Sequence, residues 1–164
     1  MEGDELTTVV LITDVISELR LYKNWRRKIV ITVGDLLEKK RRKVFTIKRD
    51  DTVQDALEIM AREKVSSLPV VDDEGLLIGI ISERDYIRKA VPERKAPWEI
   101  YVRDLMTEKI LSITKSDSLK ECMKIMSSNR IRHLPVMEES KILGMVSVSD
   151  VVSAFRSARF IDLI

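Results

Sequence analysis

The sequence predicts an α/β (α+β) fold of two pseudo-symmetric halves, each β-α-β-β-α, preceded by an N-terminal extension. The first observation behind this is a repeat. Val65 to Asp85, VSSLPVVDDEGLLIGIISERD, returns at Ile131 to Asp150 as IRHLPVMEESKILGMVSVSD. Lys43 to Asp73 lies over Lys109 to Glu139 in constant register. One residue then drops out at the polar turn, and Gly79 to Asp85 falls on Gly144 to Asp150. The second observation is that the helix start of each copy carries the same kind of cap, Thr52-x-x-Asp55 and Ser118-x-x-Glu121. The third is length: 164 residues suit two small halves sharing a core, since half an ordinary domain buries too little surface to stand alone.

In chain order, residues 1–31 form the extension. Leu6 to Leu21 places apolar residues at 6, 9, 10, 12, 15, 16 and 19 around Asp14, Ser17, Glu18 and Arg20, which is roughly helical spacing. Its β-branched residues leave Thr8 to Ile12 open to a strand instead. The segment is read as an added element, either an extra packing helix or a cover for a core or a dimer partner. Between Arg20 and Lys43, ten basic residues outnumber Asp35 and Glu38. A run such as KKRRK can be a solvated loop, a phosphate-contacting patch or a targeting address. Tyr22 and Trp25 lie nearby without a known base-stacking pattern. TVGDLL, Thr32 to Leu37, reads as a short helix capped by Thr32 with Asp35 three residues on, and VRDLM, Val102 to Met106, echoes it before the second copy.

The first half spans 32–90, a linker 91–101, the second half 102–156 and a tail 157–164. Each half opens on a short strand, Val44 to Ile47 or Ile110 to Ile113. A helix follows whose core face is Val53, Ala56, Leu57 and Met60 in one copy and Leu119, Cys122, Met123 and Met126 in the other. Cys122 thus takes the place of a core alanine and is expected to be a buried, inert thiol. Two strands come next, Ser67 to Val71 and Leu76 to Ser82, joined by a turn in which Gly75 suits a left-handed position. The second half turns between its strands over Glu138 to Lys141. A last helix follows each Ser-x-x-Asp, at Asp85 to Ala90 and Asp150 to Phe155. Trp98 is read as packing within the linker.

Composition narrows the function classes. Hydrophobic residues make up 45% and charged residues 34%, a soluble globular balance. The net charge of +2 creates no global field that demands nucleic acid or membrane. No apolar run reaches spanning length. One cysteine excludes an intrachain disulfide, and one cysteine with one histidine cannot build a common zinc site. With no phosphate loop of the GxxxxGK[ST] type and no base beside Ser82 or Ser147, the sequence carries no catalytic constellation. An intracellular, cytoplasmic protein without enzyme activity is expected.

The double LPV strand, the Gly-apolar-apolar-Ser-x-x-Asp ending and the V-x-D-L-[LM] lead-in together resemble a tandem pair of CBS domains, the arrangement called a Bateman module. The likeness covers residues 32–156. It implies a regulatory, energy-sensing kind of module that binds AMP, ADP or ATP, or else S-adenosylmethionine or NAD, in clefts between the halves. It also implies pairing into a homodimer and control of a partner protein that the sequence does not name. A nucleic-acid-binding adaptor using residues 20–43 is the alternative.

Carried over residue by residue, the resemblance assigns ribose hydroxyls to Asp85 and Asp150 and a place near phosphate to Ser82 and Ser147. Both Ser-x-x-Asp motifs also read as plain capping boxes. It implies that each cleft joins one half's Ser-x-x-Asp to the other half's pre-LPV strand. One cleft is then expected to hold Ser82, Arg84 and Asp85 with Ser112, Ile131, Arg132 and His133. The other is expected to hold Ser147, Ser149 and Asp150 with Thr46, Val65, Ser66 and Ser67. Pro69 and Pro135, in the LPV strands, complete the candidate set. On this reading the first cleft is rich in cations and the second is uncharged apart from Asp150, so the tight nucleotide site is expected at Asp85 and Arg132.

Overall fold

A computed structural model describes residues 31–161. The expected N-terminal helix and the basic residues from Arg20 to Lys28 lie outside the described residues. The helix α1, Val33–Lys40, begins at Thr32. The Thr32 hydroxyl accepts from the Asp35 N–H, while the Asp35 carboxylate takes the Thr32 N–H at 2.8 Å, so two otherwise unpaired donors are satisfied. The same reciprocal cap starts α2, Val53–Glu63, at Thr52 and Asp55. In the second half the box is only half made. Ser118 accepts from the Glu121 N–H at the start of α5, Leu119–Asn129, without the returning carboxylate bond.

The strands differ from expectation at the start of each half. β1 is the two-residue Ile47–Lys48, displaced toward α2, and its counterpart around Ile110 to Ile113 survives only as a bridge from Ile113 to Val136. β1 runs parallel to β2, Ser67–Val71, which pairs antiparallel with β3, Leu77–Ser82. β4, His133–Glu138, pairs antiparallel with β5, Lys141–Ser147. Gly75 adopts φ +83°, as the turn requires, whereas the shorter second turn places Glu139 at φ +53°. After Ser82 come α3, Glu83–Asp85, and a π-helical turn, Tyr86–Ala90. A 3₁₀ turn, Pro97–Glu99, precedes α4, Val102–Leu105. The last helix, α6, Val148–Ile161, starts earlier and runs longer than expected. Trp98 does not pack within the linker: it is 66% exposed.

Two cores form, and the lead-in helices cross between them. Val53, Ala56, Met60, Leu68, Val70 and Ile81 of the first half enclose Val102, Leu105 and Met106 from the second lead-in. Leu119, Cys122, Met126, Leu134, Val136 and Val146 of the second half enclose Val33 and Leu36 from the first. Backbone bonds seal both exchanges. Val33 N–H donates to the Asp117 carbonyl and Leu119 N–H to Ile31. At the equivalent positions Val102 N–H donates to Asp51 and Val53 N–H to Ile100. The repeated V-x-D-L-[LM] sequence is therefore a plug for the other half. Cys122 and Ala56 are both fully buried. Burial pushes the Cys122 thiol up to about 11, so it is held as a neutral core atom.

Candidate functional site

The last strand of the second half delivers Ser147 to the start of α6, where the chain turns from extended to helical and leaves free N–H groups. Asp150, three residues on, folds back over this turn. Its Oδ2 accepts the Ser147 N–H at 2.8 Å and the Ser147 hydroxyl at 2.6 Å, and the Asp150 N–H donates to Ser147 Oγ at 3.2 Å. Ser149 reaches the same serine hydroxyl at 2.8 Å. The dull reading of Ser-x-x-Asp as a cap is thus correct geometry, and the carboxylate still faces a cleft.

That cleft lies between the halves. Ser147, Ser149 and Asp150 form one side, and Val65, Ser66 and Ser67, at the start of β2, form another. Leu37, Leu143, Gly144 and Met145 add apolar wall, and Lys40, Arg42, Lys43 and Lys64 add basic wall. Lys40 Nζ donates to Asp150 Oδ2 at 2.7 Å and to the Met145 carbonyl at 3.1 Å. Burial tends to raise the Asp150 pKa. The bonds from Lys40 and Ser147 more than offset this and hold the carboxyl below its ordinary value, charged at neutral pH.

This geometry corrects the expected charge distribution. The Asp150 cleft is not uncharged apart from the aspartate, because the KKRRK run supplies Lys40, Arg42 and Lys43 to its wall. The sequence signal was visible as a basic run, but its destination was not, since that depends on α1 crossing to the second half. The same placement bears on the nucleic-acid reading: Lys40, Arg42 and Lys43 of the basic segment line this cleft.

His133 also departs from expectation. It lines the Asp150 cleft, and its Nε2 lies 2.9 Å from the Ser66 hydroxyl, joining the two pre-LPV segments across the halves. Burial and the nearby Arg132 charge lower its pKa to about 4, so it is a neutral hydrogen-bonding group and not a cation.

The other expected residues are placed as follows. Ser82 N–H and hydroxyl donate to Asp85 Oδ2 at 2.9 and 2.6 Å, repeating the Ser147 turn. Lys89 Nζ lies 3.1 Å from Asp85 Oδ1 and bonds the Leu105 carbonyl. Arg84 sits half-buried between Ser82 and Asp85 on α3. Ser112 and Arg132 are exposed and Ile131 is half-buried; the Arg132 carbonyl accepts from the Val148 N–H. Thr46 is exposed beside Phe45, which lines the Asp150 cleft where Thr46 itself does not. Pro69 and Pro135 are buried within β2 and β4, paired with Ile80 and Met145, and do not line that cleft. Among the described residues no cluster of His, Cys, Asp and Glu could hold a metal, and no helix is long and apolar enough to cross a membrane.

Comparison with known proteins gives the architecture its family. A profile of the CBS domain matches twice, over residues 33–91 and 102–157. The chain belongs to the CBS-domain family. This CBS pair is 41% identical over 109 residues to the CBS domain-containing protein CBSX3, mitochondrial, of Arabidopsis thaliana, covering 64% of this chain and 53% of that protein. The chain thus spans about half the length of that relative. Among solved structures it resembles a putative signal-transduction protein with CBS domains from Burkholderia ambifaria, with 35% identity, a TM-score of 0.72 and coverage of 76% and 93% of the two chains. The CBS pair of MJ0100, solved in complex with 5-methylthioadenosine and S-adenosyl-L-methionine, shares the fold at 23% identity and a TM-score of 0.69.

Proposed function

We propose that this CBS pair is a regulatory module that binds an adenosine nucleotide, AMP, ADP or ATP, in the cleft of Asp150, and acts by controlling another protein. The observation that carries this reading is the meeting of opposite requirements in one cleft. A half-buried carboxylate at a helix N-terminus accepts hydroxyl donors. Lys40, Arg42 and Lys43, on the facing wall, suit an anion. Leu37, Leu143 and Met145 add apolar surface against which a base can lie. A nucleotide presents all three chemistries on one molecule. Because Lys40, Arg42 and Lys43 line this cleft together with Asp150, whereas Asp85 pairs with Lys89 of its own segment, the tight site is assigned here.

Binding without turnover fits the residues present. The serines are engaged as caps, His133 is neutral and bonded to Ser66, and Cys122 is buried. The free thiol also fits a reducing compartment such as the cytoplasm. The exposed apolar residues around the π-helical turn fit a homodimer.

A thermal-shift panel with AMP, ADP, ATP, NAD and S-adenosylmethionine tests the assignment, because a ligand selective for the folded state raises the midpoint by mass action. AMP or ATP is expected to raise it in the wild type and in Asp85→Ala, and to lose most of the effect in Asp150→Ala. A shift that survives Asp150→Ala and vanishes in Asp85→Ala moves the site to the other cleft.

A further inference from the structure

We propose that Lys40 is the selecting residue of the Asp150 cleft: its ion pair with the carboxylate must be replaced by a bound ligand, so the cleft admits adenosine compounds that carry phosphate and resists those that carry none. This rests on the reading of the cleft as an adenosine site and adds what decides among such ligands.

Asp150 Oδ2 takes three donors, the Ser147 N–H, the Ser147 hydroxyl and Lys40 Nζ, although a carboxylate oxygen offers about two lone-pair positions. The two hydroxyls of a ribose, given one to each carboxylate oxygen, put one of them on Oδ2 and therefore have to displace one of these donors. The Ser147 N–H belongs to the turn that starts α6 and cannot leave without opening the helix, while the Ser147 hydroxyl can turn only as far as Ser149 Oγ, its other partner at 2.8 Å. Lys40 comes from α1, 110 residues earlier, on a four-carbon stem with free rotation. It is the donor that can move.

Where it moves depends on the ligand. Both side chains of the pair are about one-fifth exposed, so an ammonium lifted from Asp150 keeps the Met145 carbonyl but has little water and no anion unless the ligand supplies one. A neutral nucleoside gives Asp150 its hydroxyls but leaves Lys40 without an anion, and S-adenosylmethionine brings, beside its single carboxylate, two cations, a sulfonium and an ammonium, to a wall that already holds Arg42 and Lys43. A phosphate replaces the carboxylate as the partner of Lys40, so the ion pair is exchanged and not lost. His133 offers no alternative anion. The Asp85 motif lacks this device. Lys89 lies four residues from Asp85 on the same segment, and its side chain is 44% exposed, so water can receive its ammonium and no ligand anion is required.

Calorimetric titration of the full chain with ATP, AMP, adenosine and S-adenosylmethionine, in wild type and in Lys40→Met, tests this through the direction of change. Phosphate ligands are expected to weaken by about tenfold in Lys40→Met, while adenosine tightens several-fold because nothing competes for Asp150. Arg42→Met is expected to weaken only the phosphate ligands and leave adenosine unimproved. Thermal unfolding without ligand checks that the variant is folded, and Lys40→Gln serves if the methionine variant is not. A Lys40→Met protein in which adenosine and AMP change together, or in which their ratio stays at the wild-type value, overturns the selection while leaving the adenosine site standing. Wild-type protein that binds none of the four removes the site itself, and the selection with it.

Discussion

His133 is where a single residue ties the halves together. Its ring nitrogen meets the Ser66 hydroxyl at 2.9 Å, and burial with the Arg132 charge keeps the imidazole neutral down to about pH 4. The sign of the stability effect follows. In the unfolded chain the ring takes up a proton as pH falls through its ordinary 6.5, whereas the folded chain resists until about 4, so the unfolded state binds more protons in that window. Stability from this group is complete above 6.5 and declines as pH falls toward 4. Between about pH 7 and about pH 4.5 the wild type is expected to lose about 2 kcal/mol more than His133→Gln, read from urea unfolding at each pH. Parallel pH curves for the two proteins would show that the ring titrates freely. Cys122 illustrates the opposite case at this scale: its role was readable from register alone, because Ala56 occupies the same place in the other copy and both are fully buried.

At the scale of elements, the repeated glycines of β3 and β5 explain how the lead-ins seat. A Cβ on Gly144 would lie 2.6 Å from Leu37 Cδ2, and one on Gly79 would lie 2.8 Å from Met106 Sδ. Leu37 and Met106 are the fifth residues of the two V-x-D-L-[LM] lead-ins, so each glycine clears room for the plug arriving from the other half. The clash is with side-chain ends and not backbone, and the expected cost of Gly144→Ala or Gly79→Ala is about 1–2 kcal/mol. Adding Leu37→Ala to Gly144→Ala should recover part of that loss, with a coupling of at least about 0.5 kcal/mol in a double-mutant cycle. Strict additivity would mean that the contact is not the reason for the glycine.

The sequence announced both partners of these contacts without their pairing. Repeat register exposed the glycines, the caps, the LPV strands and the lead-ins, because each is a local pattern written twice. What stayed hidden was exchange, since nothing in a linear pattern says that α1 packs on the second core. The basic wall is hidden in the sequence for that reason: Lys40, at the end of α1, belongs to a run with a surface composition and reaches Asp150 only through the crossing. The shortness of the first strands is hidden for a related one. Ile113 makes its single bridge to Val136 from a segment otherwise without strand partners, which an alternating pattern cannot foretell.

For the whole molecule the question is what covers the apolar residues left outside both cores. Among the described residues the large exposed hydrophobics fall mainly in one stretch: Ile87 at 60%, Val91 at 49%, Trp98 at 66% and Tyr101 at 44%. Ile87 and Val91 stand four residues apart, the spacing of one helical face, next to the linker that carries the tryptophan. Exposed aromatic and branched residues gathered in this way are the composition of an association surface, and a face that meets its own copy across a twofold axis satisfies itself. The chain is therefore expected to sediment and scatter light as a dimer, with a mass of twice 18.9 kDa at micromolar concentration. Ile87→Glu with Trp98→Ala should shift it to a single chain, because a carboxylate at the centre of such an interface is left without a partner. None of the four residues lines the Asp150 cleft, so nucleotide affinity per chain should survive the substitutions. A wild-type protein that scatters as a single chain at that concentration rules the dimer out, and a dimer that persists in the double variant places its interface on another face.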